Sequence, residues 1–242
     1  MIRVDDILVQ RGLAKDIKHA QSLVIAGKII AEDQRVDKPG HKISSKSTLR
    51  IKQQKRWVSR SGQKLFDALE AFALQNQIEN TVALDIGSST GGFTQCLLEA
   101  KASKVYAVDV GTNQMAWSLR QDARVEVFEQ TDIRDFACPT PTPSWVTGDV
   151  SFISLTTILP ALTRIAPSAQ WLLLVKPQFE VPKKDIPTGG IITDQQMQEA
   201  AIQKVIQACL KEGRKVISRQ TCKVSGRYGN QETFILLAPE RS

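Results

Sequence analysis

The chain has 242 residues, 42% hydrophobic and 24% charged, which supports a sizeable core and argues against global disorder or a fibrous repeat. Its longest apolar runs, such as WLLLV at 171–175, fall far short of the roughly 20 residues a membrane helix needs. With no basic, apolar leader of secretory type, these features point to a cytoplasmic protein. The cysteines (Cys96, Cys138, Cys209, Cys222) form no C-x-x-C pair, and His19 and His41 are the only histidines, so neither structural zinc nor a disulfide framework is expected. Charge is unevenly placed: residues 1–60 carry 14 Lys and Arg against 6 Asp and Glu, whereas 61–242 carry 18 against 19. A short basic segment ahead of a near-neutral larger one reads as a grip for an anionic partner, nucleic acid first among the candidates and a merely solvated face second.

In chain order, apolar residues Val4, Ile7, Leu8 and then Ile17, Ala20, Leu23, Val24 recur at helical spacing and predict two short helices. Asp16 is placed to cap the second, and Gly27 to end it before the β-branched pair Ile29–Ile30. KPGHKIS and STLRIK read as a turn followed by short strands. Arg3, Arg11, Lys15, Lys18 and Lys28 lie on or beside this helix pair, where they could follow a phosphate backbone. The run RVDDILVQRGLAKDIKHAQSLVIAGKIIAEDQRVDKPGHKIS resembles the small αL-type RNA-binding domain shared by a ribosomal small-subunit protein, many pseudouridine synthases and some tRNA synthetases. That resemblance implies a non-catalytic α+β domain over residues 1–52 that binds structured RNA.

Residues 53–58 (QQKRWV) read as an interdomain linker, and the second domain is expected over 59–242. It opens with a helix whose Leu65, Ala68, Leu69 and Phe72 share a stripe. Strands are predicted at 81–87, 104–110, 125–130, 145–151, 171–177, 215–220 and 232–238, with helices at 92–100, 113–121, 155–165 and 194–212. This alternation argues for an α/β fold with a doubly wound parallel sheet, whose ligands bind at the carboxyl ends of the strands.

The first of these strands runs into DIGSSTGGFT, residues 85–94, a Gly-rich turn opening a helix. Gly87, Gly91 and Gly92 suit a tight strand-to-helix turn that a ligand approaches closely. The spacing fits neither a phosphate-clamping P-loop nor G-x-G-x-x-G, which disfavours a nicotinamide enzyme. Asp109 at the end of the second strand can accept hydrogen bonds from ribose hydroxyls, and Asp132 after the third can meet an adenine amine. Asp85 inside the first motif, Asp109 and Asp132 together resemble the binding site of S-adenosylmethionine methyltransferases. On that resemblance the cofactor set is Asp85, Gly87, Ser88, Ser89, Thr90, Gly91, Gly92, Phe93, Thr94, Asp109 and Asp132.

Lys64 stands just ahead of the sheet, Asp149 and Lys176 close the otherwise apolar fourth and fifth strands, and Glu232 opens the last. Two lysines with two carboxylates can satisfy each other while one serves as a base. An ordinary salt-bridge network is the structural alternative for any one of them. In that order they resemble the tetrad of RNA 2′-O-methyltransferases of the FtsJ type. WVSRSGQKLFDALEAF, LDIGSSTGGFT, VYAVDVGTNQMAWSLR, GDVSFISL, LVKPQFEV and GNQETFILL, behind the RNA-binding segment, closely resemble the TlyA family of rRNA methyltransferases, often labelled hemolysins. The resemblance implies a Rossmann-like S-adenosylmethionine-dependent methyltransferase domain, catalytic roles for Lys64, Asp149, Lys176 and Glu232, and Phe152 beside the cofactor. It also implies cytidine 2′-O-methylation in ribosomal subunits without a metal. Both 16S and 23S rRNA are candidates; the short ends of this chain favour 23S, and a monomer is expected. Where the family linker reads R-x-W-V, this chain has Lys55-Arg56-Trp57-Val58, which keeps charge and loses arginine's bidentate fork. A membrane-active cytolysin and an inactive rRNA-binding assembly factor are the rivals.

Overall fold

The structure is a computed structural model describing residues 1–52, 56–226 and 228–240. Lys55 lies outside the described residues. The chain divides into two compact units, Met1–Arg56 and Trp57–Ser242.

In the smaller unit, β1 (Ile2–Arg3) leads into α1 (Val4–Gln10) and α2 (Ile17–Ile25), followed by β2 (Ile29–Ala31), β3 (Gln34–Arg35), β4 (Lys42–Ile43) and β5 (Leu49–Ile51). Asp16 caps α2, its carboxylate accepting from His19 N at 2.7 Å. β3, β2 and β5 form an antiparallel sheet, and β1 pairs with β4. The β2–β3 hairpin turns on Glu32 and Asp33, both at positive φ, the twist-compatible geometry for a two-residue loop. Val4, Leu8, Ala20, Val24 and Ile29 form the small core.

The larger unit contains α3 (Arg60–Ala71), α4 (Gln75–Ile78), β6 (Val82–Ile86), α5 (Gly92–Glu99), β7 (Lys104–Val108), α6 (Trp117–Arg120), β8 (Val125–Phe128) and β9 (Trp145–Gly148). It continues through α7 (Leu155–Ile165), β10 (Gln170–Val175), α8 (Pro177–Glu180), α9 (Gln195–Lys211), β11 (Arg214–Thr221) and β12 (Thr233–Pro239). Seven strands make one sheet in the order β11-β12-β10-β9-β6-β7-β8. β8, β7, β6, β9 and β10 are parallel, but β12 runs antiparallel to both neighbours, so the expectation of an all-parallel sheet is corrected at this strand. Its insertion between β10 and β11 points the start of β12 toward the ends of the parallel strands and delivers Glu232 there.

Side chains alternate between two apolar layers. Ala83, Leu172 and Leu174 face α3 and α5, whereas Leu84, Trp171 and Leu173 face α7 and α9. Covering both faces explains why these strands read as continuous apolar runs. Trp57, assigned to the linker on sequence, is buried with Leu65 and Phe93 in the first layer and its indole donates to Gln63 Oε1 at 3.0 Å. The predicted helix at 113–121 shrinks to the single turn of α6. Glu129 holds the preceding loop instead, accepting from Asn113 N at 2.9 Å and Gln114 N at 3.1 Å while pairing with Arg120.

Candidate active site

The strand order reverses between β6 and β9, whose carboxyl ends mark the usual ligand position in an open α/β sheet. Two adjoining clefts occupy this edge, of about 600 and 420 Å³, and Gly87, Ser89, Asp149, Ser151 and Phe152 line both.

The larger cleft holds all four charged residues singled out on sequence. Lys64, from the second turn of α3, donates to Glu232 Oε2 at 2.5 Å; both are buried, at 8% and 2% exposure. Lys176 follows β10 and caps α8, with its Nζ 2.7 Å from Asp149 Oδ1. That contact is an ion pair out of hydrogen-bond alignment, since Asp149 Oδ1 has no hydrogen-bond partner among the described residues. The aligned bond of Lys176 Nζ goes to Ser151 Oγ at 2.9 Å. Two cations and two carboxylates therefore neutralise each other pairwise, and Lys176 and Asp149 reach their cleft from loops rather than from within regular elements.

The smaller cleft is acidic. Asp109, Asp132 and Asp149 line it with Gln114, and no lysine or arginine does so among the described residues. Asp109 accepts from Ser89 N at 2.8 Å and Gly111 N at 2.7 Å, which fixes its carboxylate between the β6 and β7 turns. Asp132 is forked by Arg134, at 2.9 and 2.6 Å, and hydrogen bonding from that guanidinium holds its carboxyl below the usual carboxylate range. Gln114 Oε1 accepts from Ser89 Oγ at 2.9 Å, and its amide nitrogen would meet any Cβ on Gly111 at 1.8 Å. Asp132 is paired with Arg134 and Asp149 with Lys176, whereas Asp109 enters no ion pair among the described residues. A wall of acceptors lined by no lysine or arginine fits a hydroxyl-rich, positively charged nucleoside such as S-adenosylmethionine, and suits the pyrophosphate of a dinucleotide poorly.

The Gly-rich turn contributes less to the clefts than its sequence suggested. Gly87, Ser89 and Thr90 line them; Asp85, Ser88, Gly91, Gly92, Phe93 and Thr94 do not. A Cβ on Gly87, at φ +73°, would lie 2.9 Å from the Asp149 carbonyl oxygen; on Gly91, 2.4 Å from Leu119; on Gly92, 2.1 Å from Ser61 Oγ. These glycines let the protein's own loops and helices meet. Asp85 is fully buried, accepting from Thr94 Oγ1 at 2.7 Å and Thr147 Oγ1 at 3.3 Å. Desolvation, with Asp149 nearby, pushes its carboxyl up to about 7.

Phe152 is 91% exposed at the junction of the clefts, in a left-handed conformation (φ +66°) that a β-carbon disfavours. Its ring centroid lies 5.3 Å from that of Phe179. Residues that sequence reasoning missed include Ser151 and Asn230. Buried Asn230 accepts from Ile192 N at 2.9 Å and donates to Gly190 O at 2.8 Å, tying the 186–192 loop to the rim. The -GNQE- run carried that signal two residues before Glu232.

The basic residues of the smaller unit also differ from one another. Arg3 is paired with buried Asp5 at 2.6 Å, and its hydrogen bond helps hold that carboxyl at about 2. Arg11 donates to Ser47 O and Ser45 O at 2.7 and 2.6 Å, stapling a loop. Lys15 and Lys18 are exposed, and neither enters an ion pair among the described residues. Lys28 is half-buried between α2 and β2.

Comparison with known proteins decides the family, for residues 57–238 match the FtsJ-like methyltransferase model. The chain belongs to the FtsJ-like methyltransferase family. A 16S/23S rRNA (cytidine-2′-O)-methyltransferase TlyA of Mycobacterium tuberculosis is 40% identical over 245 residues, covering 97% of this chain and 89% of the relative. The 23S rRNA (cytidine-2′-O)-methyltransferase TlyA of Campylobacter jejuni is 39% identical over 179 residues, 74% of this chain and 69% of the relative. A solved Streptococcus thermophilus structure assigned to the hemolysins is 40% identical, with a TM-score of 0.73 over 99% of this chain and 89% of that one. No helix among the described residues is long and apolar enough to cross a membrane, and no group of three or more His, Cys, Asp or Glu among them could hold a metal.

Proposed function

We propose that this methyltransferase uses S-adenosylmethionine to methylate the 2′-oxygen of a cytidine ribose in ribosomal RNA, with 23S rRNA the first substrate to test and 16S rRNA the second. The observation that carries the reading is the pair of lysine–carboxylate couples lining the cleft that adjoins the acidic one. When bound, S-adenosylmethionine supplies a methyl group already activated by its sulfonium, so the protein's task is chiefly to orient a nucleophile. Asp109, Gln114 and Ser89 would hold the nucleoside portion, with Phe152 at the junction facing the reacting groups.

In this reading the Asp149-paired ammonium of Lys176 first releases a proton to solvent. The neutral amine then receives the ribose hydroxyl and takes its proton as the oxygen bonds to the methyl carbon and the methyl–sulfur bond breaks, as a positioned base does. Asp149 and Ser151 fix where Nζ stands. Lys64 and Glu232 complete the polar wall and keep the start of β12 against α3. The smaller unit holds the RNA through exposed cations such as Lys15 and Lys18, while Arg3 and Arg11 chiefly maintain its shape. Nothing in this scheme calls for a metal ion.

Mapping of 2′-O-methyl groups on 23S and 16S rRNA, from cells with and without the protein, tests the proposal. A cytidine methyl that disappears with the protein and returns on adding enzyme and S-adenosylmethionine supports it. Absence of any transferred methyl, with RNA binding intact, would favour an assembly factor.

A further inference from the structure

We propose that Glu180 is a positioning residue for Lys176, locking the turn that carries the lysine to the loop that carries its two partners. Glu180 ends α8, the single turn that starts at Pro177 directly after Lys176. Its carboxylate is 3% exposed and outside the active-site cleft, yet it accepts from Ser154 Oγ at 2.5 Å and Leu155 N at 2.7 Å. Ser154 caps α7 and closes the loop that began at Asp149. The other end of that loop is fixed by Asp149 N donating to Ile86 O at 2.9 Å.

These bonds form a closed ring. Lys176 reaches Asp149 and Ser151 near the start of the loop, and Glu180, one turn beyond Lys176, grips its end. Between the two grips lies exposed Phe152, held at positive φ. A loop with a strained residue keeps one conformation only where its surroundings over-determine it, and Glu180 supplies the second anchor. Outside the ring, Lys204 of α9 donates to the Glu180 carbonyl at 2.6 Å and stands 3.8 Å from its carboxylate. Burial raises the Glu180 carboxyl above its ordinary range. The anchor itself consists of the reach of this side chain and its two hydrogen bonds to Ser154 and Leu155.

The inference rests on Lys176 as the reacting amine. Its test compares Glu180→Asp, Glu180→Gln and Glu180→Ala with Lys176→Ala in parallel, using tritiated S-adenosylmethionine and ribosomal subunits. Glutamine can accept from Leu155 N and donate to Ser154 Oγ, so Glu180→Gln should retain kcat within about twofold. Aspartate keeps the charge and shortens the reach, so Glu180→Asp should lose about tenfold in kcat, and Glu180→Ala at least as much. In both, KM for subunits and Kd for S-adenosylhomocysteine should stay within about twofold, and each variant should be folded at the assay temperature although the lost hydrogen bonds lower its melting midpoint. Wild-type kcat in folded Glu180→Asp would overturn the proposal, as would equal losses in Glu180→Asp and Glu180→Gln, or failure of every variant to fold. Full activity in Lys176→Ala would instead remove the reading on which the proposal depends.

Discussion

The two lysine–carboxylate couples of the active-site cleft use the same chemistry in different settings. Lys64–Glu232 joins helix α3 to the start of β12, with both side chains nearly dry and the hydrogen bond aligned at 2.5 Å. Lys176–Asp149 joins two loops, and its aligned hydrogen bond goes to Ser151 rather than to the carboxylate. A buried pair made by rigid elements holds its geometry and leaves little freedom for proton transfer. Both couples line the same cleft and their lysines are about equally buried, but the Lys176–Asp149 pair sits on loops with its carboxylate more exposed than Glu232, so it can rearrange when a substrate hydroxyl arrives. The difference assigns the first couple chiefly to architecture and the second to chemistry.

Breaking the buried couple should have the largest effect on stability. Lys64→Ala leaves Glu232 buried without its cation, a loss of about 3–5 kcal/mol, which for a unit of this size lowers the melting midpoint by about 10 °C. The same truncation at Lys176 exposes Asp149 to the cleft and should lower it by only about 2–4 °C. Calorimetric scans of both variants check the contrast, and equal shifts would erase it.

A parallel contrast separates the cations of the smaller unit. Lys15→Glu with Lys18→Glu should weaken RNA binding about tenfold or more and flatten its salt dependence, because fewer counterions are released. Binding of S-adenosylhomocysteine should not change. Arg11→Ala should act through stability, since its guanidinium closes a loop onto Ser45 and Ser47. Filter binding across a salt series distinguishes these outcomes.

A contrast that depends on pH lies behind the loop couple, at Asp85. Its folded carboxyl titrates at about 7, above the ordinary 3.8, so the folded state binds the proton more tightly. That group's stabilising contribution is therefore present at low pH and declines as pH rises from about 4 to about 7. Asp85→Asn cannot ionise, so its melting midpoint relative to wild type should rise between pH 5 and pH 8. A difference that stays flat would show that Asp85 is not protonated by burial.

Much of this arrangement is legible in the chain. The strands announce themselves as apolar runs because both sheet faces are covered, and the cationic segment and the four charged residues stand out against them. The direction of β12 is not, since an apolar run buries equally well parallel or antiparallel. Asp85 and Thr94 look like binding residues because they flank a Gly-rich turn, yet they satisfy each other in the core. Gly91 and Gly92 are required by Leu119, Ser59 and Ser61, which are distant in sequence. Glu180 carries no local mark, for it acts by accepting from Ser154 Oγ and Leu155 N of another segment.

The central claim is that Lys176 takes a proton as well as carrying charge, and Lys176→Arg tests it most directly. Arginine keeps the cation beside Asp149 and cannot lose its proton at accessible pH. Initial rates of methyl transfer to ribosomal subunits, measured alongside melting midpoints, should show Lys176→Arg folded, able to bind S-adenosylhomocysteine, and slower than wild type by about 10²–10⁴-fold, close to Lys176→Ala. Near-normal turnover by Lys176→Arg would contradict the account and leave Lys176 as an electrostatic anchor.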